Sequence, residues 1–313
     1  MSANSANKVE TITPKAAPAA KKSSIPKWMA RYYTDVAPGH KPHMKLRVFI
    51  GFLVFMFFMA PYIVMFLGSV KSRPEIRRIP PTYWPEDWRL DNYLTMWSTP
   101  ETPVGSNLVS TMVIATCATI VVLLVAMPAA YYTARFDFPG RLAFMFTVLL
   151  TQMLQPAVLV AGLFRQFLGW GIQDTLLAMI LVNSAFNLSF AVWMMHSFFA
   201  SVPREIDEAA RIDGCGQFAV LFKINLPLVW PGIVTAVIFT FVAAWNEFAA
   251  SLVILSTPAN QPLSVALTKF VGQYQTAWQY VFSVSVVAVI PVIILFAIVE
   301  KRLIGGLTAG SIK

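Results

Sequence analysis

Charge is what this chain has least of. Only 12% of its 313 residues are charged and 57% are hydrophobic, against about 25% charged in ordinary soluble domains. A water-soluble globular protein is therefore excluded as a first reading. Cysteine is also scarce. Cys117 and Cys215 are too few and too badly placed for a disulfide framework, and both read as plain thiols. The three histidines, His40, His43 and His196, come with no HExxH and no nucleophile elbow, which leaves little for metal or acyl chemistry. His196, at the inner end of an apolar run, reads as an interfacial hydrogen-bonding residue. No GxxxxGK[ST] is present, so any ATP would be held by another chain. Glu247 is the only acidic residue well inside an apolar run, which argues against an ion-coupled carrier with carboxylates at the bilayer midplane.

What the chain does have is length of apolar run. Arg47 and Lys71 bracket 23 uncharged residues, VFIGFLVFMFFMAPYIVMFLGSV. At about 1.5 Å per residue these cover the roughly 30 Å hydrocarbon layer. Five further runs have cores at 107–130, 142–164, 175–197, 229–252 and 280–299. All are continuous rather than alternating, unlike the strands of a membrane barrel. The expected fold is an all-α membrane protein with six transmembrane helices. The first run follows a long polar segment and is long enough to span, so it reads as an anchor rather than a cleaved signal. Residues 1–46, rich in Ala, Ser, Pro and Lys, are expected to form a disordered basic tail before a membrane domain over 47–313.

Lys and Arg set the expected orientation. With six spans, 17 of them lie on the side holding both termini and seven on the other. That excess marks the cytoplasm, so both ends and the 198–228 loop are expected there. The net charge of +9 follows from this bias, with anionic lipid rather than nucleic acid as its partner.

The 198–228 loop interrupts the apolar pattern with SVPREIDEAARIDG. Pro203 suits a helix's first turn and Gly214 a left-handed stop. Val202, Ile206, Ala209 and Ala210 make a narrow, shallow apolar face. Arg204, Glu208 and Arg211 fall opposite at spacings suited to ion pairing. Alanine in place of leucine lets a partner surface approach closely. By pattern alone, a short helix that passes on a push and an amphipathic helix resting on the leaflet are equally good readings.

The stretch reads EAA, three residues, G, nine residues, I-x-LP, with Glu208, Ala209, Ala210, Gly214, Ile224, Leu226 and Pro227 at the fixed positions and Asp213 just before the glycine. It resembles the signature of binding-protein-dependent ABC importer permeases. PREIDEAARIDG, IVTAVIFTFVAAWNEF and the ending KRLIGGLTAGSIK are similar to the smaller permease subunit of the maltose-type carbohydrate uptake systems. The likeness runs from about 47 to 313 and implies a type I ABC importer permease fold. It further implies a second permease subunit, two cytoplasmic ATPase subunits that carry ATP and Mg, and an extracytoplasmic binding protein. The chain itself would hold no cofactor or metal and catalyse nothing. The 208–227 segment would seat in the ATPase, and Gly305, Gly306, Leu307, Thr308, Ala309 and Gly310 would reach between the two ATPase subunits. The implied cargo is a sugar or polyol, with glycerol phosphate or another small solute as the alternative, and a stand-alone channel as the rival class.

Gln152, Gln155, Asn183 and Asn187 fall near mid-span, and the last two share a helical face at i, i+4. They read either as lining a path for a hydroxyl-rich solute or as interhelical hydrogen-bond glue. Glue is preferred, because the resembled family can place its sugar site wholly in the other permease. Asn246 and Glu247, in AAWNEF, face an outer cavity, help dock the binding protein, or sit at the interface beside Trp245. The segment WPEDWRLDNYLTMW, 84–97, is either a docking surface for the same protein or an aromatic belt.

Overall fold

The computed structural model describes residues 44–98, 102–154, 156–272 and 276–309. The chain divides into two units, 1–59 and 60–313. Of the first, only the start of helix α1 (Met44–Ser69) is described, and its exposed side chains from 46 to 59 are almost all apolar. The expected tail lies outside the described residues apart from its last three positions, 44–46, which open α1.

The second unit is built from short α2 (Arg73–Ile76) and α3 (Asp91–Thr95), then α4 (Val104–Arg135), α5 (Arg141–Gln152), α6 (Pro156–Trp170) and α7 (Leu176–Ser201). These are followed by α8 (Arg204–Ile212), α9 (Gln217–Leu228), α10 (Trp230–Trp245), α11 (Ala249–Ile254), α12 (Leu263–Lys269) and α13 (Trp278–Ala309). Among the described residues the only β-pairing is one isolated bridge, Val271 to Thr276.

Four helices are long and apolar enough to cross a membrane: Leu46–Ser69, Val104–Arg135, Leu176–Ser201 and Trp278–Val299. They coincide with the first, second, fourth and sixth expected spans. The other two expected spans are not straight helices. The third is the pair α5 and α6, bent by 95°. The fifth is preceded by an 80° bend between α9 and α10 and breaks again at Asn246–Phe248 before α11. The total is six only if each bent pair counts as one span.

Helices α4 and α7 form the central pair. In α4 the residues Ala118, Val122, Ala126, Ala130 and Ala134 recur every fourth position and are all at most 4% exposed. Such a ridge of small side chains lets two backbones approach closely, which is where packing energy between helices in lipid comes from. Val122 and Ala126 meet Ala191 and Val192 of α7. Ala115 and Ala118 meet Phe241, Ala244 and Trp245 of α10. Gly232 brings α10 against Phe198 so closely that a Cβ there would lie 2.4 Å from the ring.

Candidate functional site

The interruption at 198–228 is a built corner. Thr175 caps the start of α7, accepting the amide of Ala178 at 3.3 Å, and α7 ends at Ser201. Pro203 then opens α8. At the other end of α8 the Gly214 amide donates to Arg211 O and the Cys215 amide to Ala210 O, each at 3.0 Å, and Gly214 has φ +84°. These paired bonds around a left-handed residue form a Schellman stop, which glycine enters without the Cβ penalty. Beyond it, α9 opens into a π-helical stretch at Val220–Asn225 just ahead of Leu226 and Pro227. Pro227 has no N–H to donate into the preceding turn, and the wider coil accommodates it.

Of the signature residues, Ala210 is buried, Ile224 and Leu226 are half-buried, and Glu208, Ala209, Asp213, Gly214 and Pro227 are exposed. Ala209, Ala210, Asp213 and Ile224 line an open groove of about 420 Å³. Ile212, Phe218 and Phe222 stand out nearby at 87%, 79% and 57% exposure. Large apolar side chains this exposed on a polar corner mark a contact surface.

The expected pairing of Arg204, Glu208 and Arg211 does not occur. Arg204 lies 3.7 Å from Asp137, and Arg211 sits over the ring of Phe136 at 5.5 Å. Both are drawn to the turn after α4, and among the described residues Glu208 has no ion-pair partner. The anchoring is done instead by residues outside the signature. Asp207 (5% exposed) and Arg135 (8%) are buried, with Arg135 Nε 3.0 Å from Asp207 Oδ2 as a charge pair lacking hydrogen-bond geometry. The guanidinium also donates to Val202 O at 2.7 Å and to Asn225 Oδ1 at 3.0 Å. Asn225 Nδ2 donates to Asp207 Oδ1 at 2.7 Å, and the Tyr131 hydroxyl lies 3.4 Å from Asp207 Oδ2. Four elements, α4, the end of α7, α8 and α9, are thus tied at one buried point.

A second constellation forms where two broken spans meet. Gln152, Asn183, Asn187 and Glu247 line one cavity of about 260 Å³, together with Thr151, Leu154, Pro156, Val182, Phe186 and Ala243. Asn183 donates to Met179 O at 2.9 Å and Asn187 to Asn183 O at 2.8 Å, both within α7. Glu247 accepts the amides of Ala250 at 2.8 Å and Ser251 at 3.0 Å and the Ser251 hydroxyl at 2.6 Å, so it holds the break before α11.

A model of the family described as "Binding-protein-dependent transport system inner membrane component" matches residues 124–305, which contain the whole 198–228 corner. The chain belongs to that family. It is the permease subunit of an ABC importer. The permease is 32% identical over 253 residues to the sulfoquinovosyl glycerol transport system permease protein SmoH of Agrobacterium fabrum, spanning 81% of this chain and 88% of the relative. It is 30% identical over 256 residues to the diacetylchitobiose uptake system permease protein NgcG of Streptomyces coelicolor, spanning 81% and 83%. Its fold matches a chain of a bacterial ABC transporter involved in the import of the acidic polysaccharide alginate, with a TM-score of 0.70 at 20% identity, over 84% of the permease and 99% of that chain.

Other expected positions in the permease fall apart from these two sites. Asn246 is exposed and donates to Val242 O at 2.9 Å. Gln155 and Gly310 lie outside the described residues, while 306–309 continue α13. His196 pairs with the Thr133 hydroxyl at 3.0 Å. Among the described residues no three His, Cys, Asp or Glu side chains are placed to hold a metal ion.

The loops between spans carry their own fastenings. Lys71 donates to Thr82 O, and Glu75 accepts the Thr82 hydroxyl at 2.9 Å and the Glu86 amide at 3.1 Å. Burial pushes the Glu75 carboxyl up, but these donors and the Lys71 charge outweigh it and hold it below its ordinary value. Asn92 pins the aromatic 84–97 segment to the end of α1, donating to Ser69 O at 2.8 Å and Lys71 O at 3.0 Å. Asp174, at φ +59°, joins the α6–α7 turn to the 255–260 loop. It accepts the amides of Ser256 and Thr257 at 2.8 and 2.9 Å and the Thr257 hydroxyl at 2.5 Å.

Proposed function

We propose that this permease works as one half of a heterodimeric pair in a carbohydrate importer, driven by two ATPase subunits that carry the ATP and Mg and supplied by an extracytoplasmic binding protein. Both termini and the 198–228 corner lie on the cytoplasmic side, in keeping with the 17 to seven split of Lys and Arg. Helix α8 is the coupling helix. Its exposed side, with Glu208, Ala209 and Asp213, seats in an ATPase subunit, and Ile212, Phe218 and Phe222 widen the contact. Closure of the ATPase pair on ATP draws the two coupling helices together and opens the path toward the docked binding protein. The 306–310 segment reaches between the ATPase subunits.

The buried tie of Arg135, Asp207 and Asn225 supports this reading best. A helix resting passively on lipid gains nothing from being locked to the end of a transmembrane helix through a desolvated ion pair. A transmitting helix requires it. The sugar or polyol cargo is supported by the names of the relatives, permease proteins of a sulfoquinovosyl glycerol transport system and a diacetylchitobiose uptake system. The test is purification of the assembled importer with Glu208→Lys or Gly214→Val. Each variant inserts normally but loses the co-purifying ATPase and uptake. Wild-type ATPase yield with unimpaired uptake would overturn the reading.

A further inference from the structure

A cavity lies at the two helix breaks. Span three is interrupted between Gln152 and Pro156 and span five at 246–248, and residues beside both interruptions line the cavity. Discontinuous helices are how a membrane protein places polar groups at depth without exposing backbone to lipid. The two asparagine amides there bond within their own helix, while Thr151 on the same wall ties α5 to Ser189 of α7 at 2.6 Å. Asn183 and Asn187 each use one N–H on their own helix, which leaves carboxamide capacity for a further partner. Asn183 is 3% exposed and Asn187 half-buried, so neither is a solvated surface amide. Glu247 has three donors on its two oxygens, out of about four lone-pair positions. Phe186 supplies an aromatic wall.

We propose that this subunit itself holds one uncharged, hydroxyl-rich ring of the cargo in this cavity, in place of leaving substrate contact to its partner. The inference rests on the importer reading and narrows its cargo. Amides that donate and accept, one carboxylate acceptor and an aromatic face suit a ring whose edge is hydroxyls and whose face is C–H. About 260 Å³ is room for one ring. Among the described residues no lysine or arginine lines the cavity. A phosphate, sulfonate or uronate would meet the Glu247 carboxylate in a low-dielectric setting without a counter-charge. Glycerol phosphate is therefore disfavoured and neutral sugars or polyols are selected.

The test uses the whole importer in cells, challenged with radiolabelled glucose, maltose, trehalose, sorbitol, glucuronate and glycerol 3-phosphate. The wild type imports one or more of the four neutral compounds and neither charged one. Asn187→Leu and Gln152→Leu each raise the KM for the imported compound about tenfold, the scale of one lost hydrogen bond, at unchanged yield of the assembled complex. Glu247→Gln relaxes the bar against glucuronate. A KM within twofold of wild type for both leucine variants overturns the proposal and leaves the importer reading standing. So does a fall in assembly without a change in KM, which marks the amides as packing groups. Import of only the charged compounds, or of none, also overturns it. Failure of the wild-type permease to co-purify with an ATPase would sink the importer reading instead.

Discussion

Replacing Asp207 with alanine should be among the most damaging single changes in the molecule, although residue 207 falls at none of the fixed positions of the signature. The Arg135 and Asp207 side chains are 3% and 7% exposed. Removing the carboxylate leaves a desolvated guanidinium with only neutral acceptors, Val202 O and Asn225 Oδ1. It also strips Asn225 Nδ2 of its 2.7 Å partner. Breaking a buried pair on one side costs about 3–5 kcal/mol, and the two remaining acceptors place this case toward the lower end. At roughly 2–4 °C per kcal/mol for chains somewhat shorter than this one, the detergent-solubilised importer should lose on the order of 6 °C in a thermal aggregation assay. The double variant Arg135→Met, Asp207→Leu removes both charges and fills similar volume, so it should recover most of that loss. It should nevertheless remain poor at transport per ATP hydrolysed, because α8 is no longer locked to α4. If the single variant melts with the wild type, or the double variant melts as low as the single one, the burial argument is wrong.

Gly232→Ala should destabilise by about 1–3 kcal/mol, since the new Cβ would lie 2.4 Å from the Phe198 ring and the packed α7–α10 contact must open; Phe198→Leu in the same chain should restore part of the melting temperature. The Asp174 fastening gives a pH dependence. Burial raises the carboxyl's proton affinity, but the Thr257 hydroxyl and amide, the Ser256 amide and Asn260 outweigh it and hold it below its ordinary 3.8. The native state thus prefers the ionised form, and the contribution is complete above about pH 3.8 and lost as pH falls through the lowered value. Thermal stability measured between pH 6 and pH 3 should show a component of acid loss that Asp174→Asn lacks, and parallel curves for the two proteins would contradict this.

Much of the fold was legible because uncharged length is a direct consequence of the lipid solvent: the spans starting after Arg47 and ending at Val299 follow from counting. Bends do not follow from counting. The run over 142–164 contains no charge at its break, and Pro156 alone could not decide the matter, since Pro61, Pro128 and Pro291 sit inside unbroken helices. Glu247 sits inside an apolar run, which hides that it follows the end of α10 at Trp245 and holds the start of α11. At the corner, the stop at Gly214 was visible because a left-handed residue has a chemical signature. The tie through Arg135 was not, because it joins residues 72 and 90 positions apart. Its trace was faint: an acid, Asp207, set beside the alanine face, and an amide, Asn225, between two apolar side chains.

The break in the third apolar run has a consequence for the helices beside it. Its two pieces are 12 and 15 residues long, or about 18 and 22 Å, and neither reaches across roughly 30 Å of hydrocarbon. Each piece is therefore carried by a neighbour in the folded subunit, α5 by α7 and α6 by α11, and protein in place of lipid surrounds the polar backbone of the short helix ends.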